Sequence, residues 1–350
     1  LLAARKVGLS GPELPDSPFY EDNPDDRADH GRAHMMFDEE GSFKHMRDAI
    51  IEQKPYPVKG WFAYKINPLQ SVANRNKTLE MIEHLDFILT VDIAMSDTAW
   101  MSDLVLPAPS YLERQDPASG LQGSSACACV VTRDQVVPAL FESKPVFWIF
   151  KELAKRLDLA EYFDFTIEEY RKQQLKNLPD GERALREDGV YYNPSKLYGV
   201  YEGRVYKTLS KKIELFNKRY ADMGVDPMPI YRAPRRKPSG KFRMVVGRSA
   251  YFTHCTSQIN ALLHEFMPEN TLWINPKAAK RLGIRDGYRV EITSKAGKGV
   301  LKANLKEGIR EDTVYMLSGF GVLSQGLTLS LIHISEPTRP SKSSRMPSSA

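Results

Sequence analysis

Three consecutive stretches, "GWFAYKINP" (residues 60–68), "VANRNKTLEMIEHL" (72–85) and "DFILTVD" (86–92), decide the fold. The first reads as a strand running into a loop. The second has apolar Leu79, Ile82 and Leu85 at helical spacing, and the third is a short apolar run of the kind a buried strand shows. Strand, helix and strand joined by short links make a βαβ unit, and such a unit implies a parallel sheet. Ligands of parallel sheets lie beyond the carboxyl ends of the strands. The polar residues at those two ends are Asn67 and Asp92.

Outward from this unit, "IAMSDTAWMSDLVLPAPSYLERQDPASG" (93–120) reads as a helical turn, a short strand Asp103 to Leu106 and a Pro-rich loop. "KPVFWIFKELAKRLDL" (144–159) reads as a helix whose apolar face carries Trp148, Ile149, Leu153 and Leu157. Residues 160–240 are charged and mixed, and end in the basic linker "YRAPRRKPSGKFR" (231–243). From 242 the pattern changes to short strands with turn signals. "FRMVVG" is a strand, "NPKAAKRLGI" a helix stopped at Gly283, "RDGYRVEITSKAGKGVLKANL" two strands about a glycine turn, and "DTVYML" another strand. This spacing suggests a small β-barrel. The expected fold class is α/β, with a Rossmann-like parallel-sheet core in 1–235 followed by a C-terminal β-barrel domain in 240–328.

The chain has 350 residues, 42% of them hydrophobic and 10% aromatic, which suits a packed protein of about two domains. Its formal net charge of +5 is too small to mark a polyanion partner. The basic cluster Arg232, Arg235, Arg236 and Lys237 therefore reads as a solvated linker, with no nucleic acid expected. No apolar run approaches the ~20 residues of a membrane span. Cys127, Cys129 and Cys255 are too few for a disulfide framework, and the first two read as small buried thiols. The acidic residues Glu21, Asp22, Asp25 and Asp26 beside His30 and His34 match no metal-ligand spacing and read as a solvated loop.

The final stretch, "LSLIHISEPTR" (329–339) followed by "PSKSSRMPSSA", back-translates in one frame into a DNA-library adapter. Residues 329–350 are accordingly expected to be an adapter-derived tail without fold. The chain opens at Leu1, and truncation at both ends is expected.

One segment is dense in short donors and acceptors. "GRSAYFTHCTSQINALL" (247–263) places His254, Thr256, Ser257, Gln258 and Asn260 within seven residues between apolar flanks. Such a loop suits a ligand rich in carbonyl, amino and phosphate groups, although a lone polar loop is more often simply solvated.

Taken in order, "YKINPLQS", "LTVDIAMSDTAWMSDLVLPAPSYLER", "GRSAYFTHCTSQINALL" and "NPKAAKRLGIRDGYRVEITSKAGK" resemble molybdopterin oxidoreductases of the dimethyl sulfoxide reductase superfamily. The wording is most similar to the catalytic chains of polysulfide and thiosulfate reductases. The resemblance covers nearly all of 58–328. It implies a molybdenum bis(molybdopterin guanine dinucleotide) cofactor, with Asp92 reading guanine through two parallel acceptor bonds. It further implies that Asn67, Thr98 and Asp103 stand at the strand ends beside the cofactor, and that Gly247, Arg248, His254, Thr256, Ser257 and Gln258 close on the pterins. The same Asp92 could instead cap a helix, and His254 could be a satisfied core imidazole.

By the same resemblance, the 4Fe-4S cysteines and the molybdenum ligand are expected upstream of this chain, so no catalytic or metal-ligating residue is expected within it. Partners implied are an iron–sulfur electron-transfer subunit and a membrane anchor subunit, with a small sulfur compound as substrate in anaerobic respiration on the periplasmic side of the membrane. The competing expectation is a non-catalytic scaffold subunit that keeps the fold.

Overall fold

The computed structural model describes residues 28, 42–121, 129–192, 206, 208, 210–222, 224–233, 236–295 and 297–320. Compact units cut across the linear order of the chain. Pro107–Ile230 belongs to one unit, and Asn23–Leu106 joins Tyr231–Ala350 in the other.

In the second of these units β1 (Gly60–Tyr64) runs parallel to β2 (Phe87–Asp92), from the pair Gly60↔Phe87 to Tyr64↔Val91. Ile88, Leu89, Thr90 and Val91 are successive buried residues of β2, as expected of a central strand covered on both faces. The crossover between them contains the short α2 (Pro68–Ser71) and α3 (Arg75–Glu83), and α1 (Phe43–Glu52) precedes β1. Asn74 caps α3 by accepting from Lys77 N at 3.3 Å while holding φ at 64°, a left-handed conformation that asparagine tolerates better than most side chains. Ile50, Leu69, Met81, Ile82, Leu85, Ile88 and Met101 form one buried cluster beneath this sheet. Each such side chain contributes roughly 1.5–3 kcal/mol by leaving water.

The third strand, β3, spans Leu104–Pro107, one residue later than the expected Asp103–Leu106. Asp103 instead bonds to Ile88 twice: its amide donates to Ile88 O at 2.9 Å, and its carboxylate accepts from Ile88 N at 2.8 Å. The side chain replaces a ladder carbonyl, which moves the strand start by one position.

The C-terminal part of this unit carries β7 (Arg243–Gly247), α9 (Ala261–Phe266), β8 (Thr271–Ile274), α10 (Pro276–Arg281), β9 (Arg289–Ser294), β10 (Gly297–Leu305) and β11 (Thr313–Leu317). The sheet order is β7-β11-β8-β10-β9. The expected closed barrel is not formed among the described residues; the sheet curls as a half-barrel. Its pairing is mixed, with β7–β11 and β8–β10 parallel, so crossovers replace the succession of hairpins that would bring β7 and β9 together. Leu272, Ile274, Ala278, Ala279, Leu301, Ala303 and Val314 fill its core. Gly283, φ 67°, stops α10 as expected.

The other unit holds an antiparallel sheet, β4 (Asp116–Leu121), β5 (Cys129–Arg133) and β6 (Val190–Tyr192), in that order. It also holds α5 (Val146–Arg156), α6 (Ile167–Leu175), α7 (Gly181–Glu187) and α8 (Lys218–Asp222). The Pro-rich reading of 107–120 as loop is corrected by β4. Pro117 interrupts its ladder at a register shift between Asp116 and Ser119, and side chains supply the missing bonds. Gln174 accepts from Ala118 N at 2.9 Å and donates to Ala118 O at 3.1 Å, while Arg171 donates to Asp116 O. On α5 only Ile149 and Ala154 are buried; Trp148 and Leu157, expected on the apolar face, are 48% and 64% exposed. Cys129 is buried as expected. Cys127 and the residues Glu21, Asp22, Asp25, Asp26, His30 and His34 named above lie outside the described residues, as does the tail 329–350.

Candidate functional site

The site grows from the ends of β1 and β2, which belong to one compact unit with the 247–263 segment. At the end of β2 the Asp92 carboxylate turns back on its own chain. One oxygen accepts from Ile93 N at 2.7 Å and the other from Ser96 Oγ at 2.8 Å. Ser96 is itself the N-cap of α4 (Asp97–Trp100), accepting from Ala99 N at 3.3 Å. The alternative that Asp92 serves as a helix cap is thereby answered: Ser96 takes that role. A carboxylate has about four acceptor positions, and two of those on Asp92 are used locally.

Asn67, after β1, is held from α4. Its Oδ1 accepts from Thr98 Oγ1 at 2.8 Å and from Thr98 N at 3.3 Å, and its Nδ2 donates to Gln70. Thr98 is fully buried and both its main-chain N–H and its hydroxyl are spent on Asn67, so it positions that amide. Its neighbour Asp97 is also fully buried and lies 3.5 Å from Arg75 Nη2. Thr90 and Ser102 share a 2.6 Å hydroxyl bond beneath, which ties β2 to the end of α4. Asp103 is engaged with Ile88 as described, a role within the sheet.

The 247–260 segment is tightly built. A Cβ on Gly247 would meet the Tyr315 ring at 2.5 Å, and the Tyr315 hydroxyl donates to Arg248 O at 3.0 Å. Gly247 O accepts from Ser318 N, and Ser318 Oγ lies 3.4 Å from His254 Nδ1. His254 has φ 51°, and its main chain touches Gly319 so closely that a Cβ there would sit 2.5 Å from His254 C. Ser257 Oγ accepts from Thr253 N at 2.7 Å and closes the turn, while Thr256 and Arg248 are exposed. Gln258 is 2% exposed, yet neither its Nε2 nor its Oε1 has a hydrogen-bond partner.

Burial pushes the Cys255 thiol up, and the nearby carboxylates of Asp92 and Asp97 push it the same way despite an opposing backbone hydrogen bond. The thiol, half-buried, is neutral at physiological pH. The same interaction places the 254–258 turn within electrostatic reach of the β2 end. Asn67 and Thr98 are bonded directly and Asp92 joins them through Ser96 at the start of α4, while His254 to Gln258 form a second group in the same compact unit. Sequence reasoning passed over Ser96, His264, Ser318 and Gly319. Ser96 was legible as a Ser before a helical turn. The tight approach of Gly319 has no local signal.

Residues 14–156 match the molybdopterin oxidoreductase family, and residues 242–346 match the molydopterin dinucleotide binding domain family. The thiosulfate reductase molybdopterin-containing subunit of Salmonella typhimurium is 28% identical over 321 residues, 82% of this chain and 41% of that protein. The assimilatory nitrate reductase catalytic subunit of Bacillus subtilis is 27% identical over 275 residues, 74% and 37% of the two chains. Among solved structures, acetylene hydratase from Pelobacter acetylenicus superposes with a TM-score of 0.68 at 26% identity, covering 79% of this chain and 39% of the other. The chain spans about two-fifths of the length of these relatives.

The donor set fits a molybdopterin dinucleotide. A half-used carboxylate, a positioned side-chain amide and the unpaired buried amide of Gln258 offer both acceptors and donors to ring edges. Among the described residues no group of His, Cys, Asp and Glu could hold a metal ion directly, and no helix is long and apolar enough to cross a membrane.

Proposed function

Since this chain belongs to the molybdopterin oxidoreductase family, we propose that it forms the cofactor-holding wall of a catalytic subunit that reduces a small sulfur compound, polysulfide or thiosulfate, with bis(molybdopterin guanine dinucleotide) as cofactor. The observation that carries this reading is the buried side-chain amide of Gln258, unpaired at both polar atoms, in the same compact unit as the strand-end pair Asp92 and Asn67. A scaffold that held no ligand would have no compensation for the desolvation of that amide, which costs about 1–3 kcal/mol. The similarity to a thiosulfate reductase subunit over most of the chain favours a sulfur substrate.

In this reading Asp92 accepts from the guanine N1–H and exocyclic amine with the acceptor positions that Ile93 and Ser96 leave open. Asn67, fixed by Thr98, presents main-chain and side-chain groups to the ribose or pyrophosphate. His254, Thr256, Ser257 and Gln258 face the pterins, with Gly247 and Arg248 at the approach to the turn. When bound, the cofactor supplies two-electron chemistry at molybdenum, and the protein supplies orientation and exclusion of water. Partners in this reading are an iron–sulfur electron-transfer subunit and a membrane anchor, with the 4Fe-4S cluster carried by chain outside these residues and the assembly facing the periplasm.

The test is cofactor retention. The purified full chain is denatured, and released guanine nucleotide and fluorescent oxidised pterin are quantified against protein. Both should be present, and Asp92→Ala should lower guanine nucleotide content. A folded chain that carries neither and binds neither when added overturns the cofactor reading. Reduced-viologen oxidation by the whole catalytic subunit with thiosulfate or polysulfide tests the substrate.

A further inference from the structure

Among the described residues three side-chain amides are buried: Gln174, Asn270 and Gln258. The first two spend both polar atoms on the main chain of a neighbouring strand. Gln174 holds Ala118 N and O, and Asn270 donates to Leu317 O at 2.9 Å and accepts from Leu317 N at 3.1 Å. Gln258 is as deeply buried as Asn270 and satisfies neither atom. Its environment is also unusual. His264 places Nε2 2.9 Å from the Gln258 main-chain oxygen, and its ring packs on Phe252 with centroids 5.1 Å apart. A carbonyl only accepts, so Nε2 carries the proton, and in the neutral ring Nδ1 is then an acceptor. That Nδ1 is buried and unpaired too.

The imidazole and the amide together leave one double donor, Gln258 Nε2, and two acceptors, Gln258 Oε1 and His264 Nδ1. A 2-amino-4-oxopyrimidine edge has the complementary inventory, one carbonyl acceptor, one ring N–H and one amino group. Guanine and pterin both present that edge.

We propose that His264 is a specificity-determining residue that acts with Gln258 to recognise the 2-amino-4-oxopyrimidine edge of the bound cofactor. The inference rests on the cofactor reading above and adds to it the residue and the chemical edge it reads. His264 serves twice: Nε2–H pins the turn that carries Gln258, and Nδ1 accepts from the ligand.

Two substitutions separate these roles. Q258L replaces the amide by methyl groups of similar volume. H264Q can span to the Gln258 carbonyl with its own amide N–H but carries its acceptor oxygen one atom farther from Cγ than the ring Nδ1. The full chain, made in a host that does not synthesise the cofactor, is titrated calorimetrically with guanosine monophosphate and, separately, with a soluble pterin, and its thermal midpoint is measured without ligand. The expected result is that Q258L and H264Q each weaken one probe about tenfold, the loss of roughly one hydrogen bond, with the ligand-free midpoint unchanged or higher. The probe affected identifies whether the nucleobase or the pterin is read. If Q258L does not fold, Q258M takes its place. Unaltered affinity for both probes in both variants overturns this proposal and leaves the cofactor reading standing, whereas an unmodified chain that binds neither probe overturns both.

Discussion

Gly247 separates packing from ligand contact, and its replacement by Ala can be worked through from distances. A Cβ at 247 would lie 2.5 Å from Tyr315 Cε2, 2.6 Å from its hydroxyl and 2.9 Å from Cζ. The ring has little room to yield. It packs against Trp273 with centroids 4.6 Å apart, and its hydroxyl bonds to Arg248 O at 3.0 Å. Ordinary carbon contact begins near 3.5 Å, so the ring or the strand must shift by about 1 Å. Overpacking of this kind costs about 1–3 kcal/mol, and losing the Arg248 bond adds about 1 kcal/mol. Gly247→Ala should therefore destabilise by roughly 2–4 kcal/mol, lowering the thermal midpoint by roughly 5–15 °C for a unit of this size. In a double-mutant cycle with Tyr315→Ala, which removes the ring, the Ala at 247 should become nearly free. If Gly247→Ala costs the same with and without the ring, or costs under about 0.5 kcal/mol alone, the steric account is refuted.

Gln174→Leu should cost about 2–4 kcal/mol in urea unfolding, because both main-chain groups of buried Ala118 lose their partner; a loss below about 1 kcal/mol would contradict the clasp. Asp116 is partly desolvated, which alone would raise its pKa, but bonds to Arg114 and Arg133 outweigh this and hold the carboxyl below its ordinary value. Its folded pKa lies below the unfolded one, so its contribution is present above about pH 4 and lost as pH falls further; Asp116→Asn should flatten that acid limb, and an unchanged acid titration would refute it. Cys255 should react slowly with iodoacetamide at neutral pH because burial and the Asp92 and Asp97 carboxylates keep it protonated, and Asp92→Asn should speed the reaction. Equal rates in the two proteins would show that the Asp92 carboxylate does not act on the thiol.

The βαβ core was legible because its residues obey a single period: β2 is one continuous apolar run, and Ile82 and Leu85 are both fully buried where helical spacing placed them. The second-domain strands were legible from their turns, but closure was not, since alternation within a strand carries no information about which strands become neighbours. β4 was hidden because Pro117 and Gly120 break local propensity and its bonds come from Gln174 and Arg171, more than fifty residues away. Trp148 was placed on the wrong face because periodicity orients a helix only to within a turn. At the site, Asp92 and Asn67 stood out as polar residues at strand ends, a position-based argument that needs no contact map. The division of labour beneath them did not, because Thr98 and Asp103 look equally available in sequence, while the fold buries one and binds the other to Ile88.

On the proposed reading, that division explains how a half-buried strand end is made specific. A free Asp or Asn side chain samples several rotamers, and fixing one on binding costs about 0.5–1.5 kcal/mol. Here the ordering occurs during folding: Ser96 and Ile93 orient the Asp92 carboxylate, and Thr98, fully buried, orients the Asn67 amide. Each restraint consumes one acceptor position and leaves others directed by the first. Short local bonds between residues one and four apart in sequence hold Asp92, while a bond across thirty-one positions holds Asn67, so Asp92 is locally organised and Asn67 depends on the packing of α4. Loosening α4, by Thr98→Val for instance, should therefore disturb the Asn67 end of a bound dinucleotide before the Asp92 end.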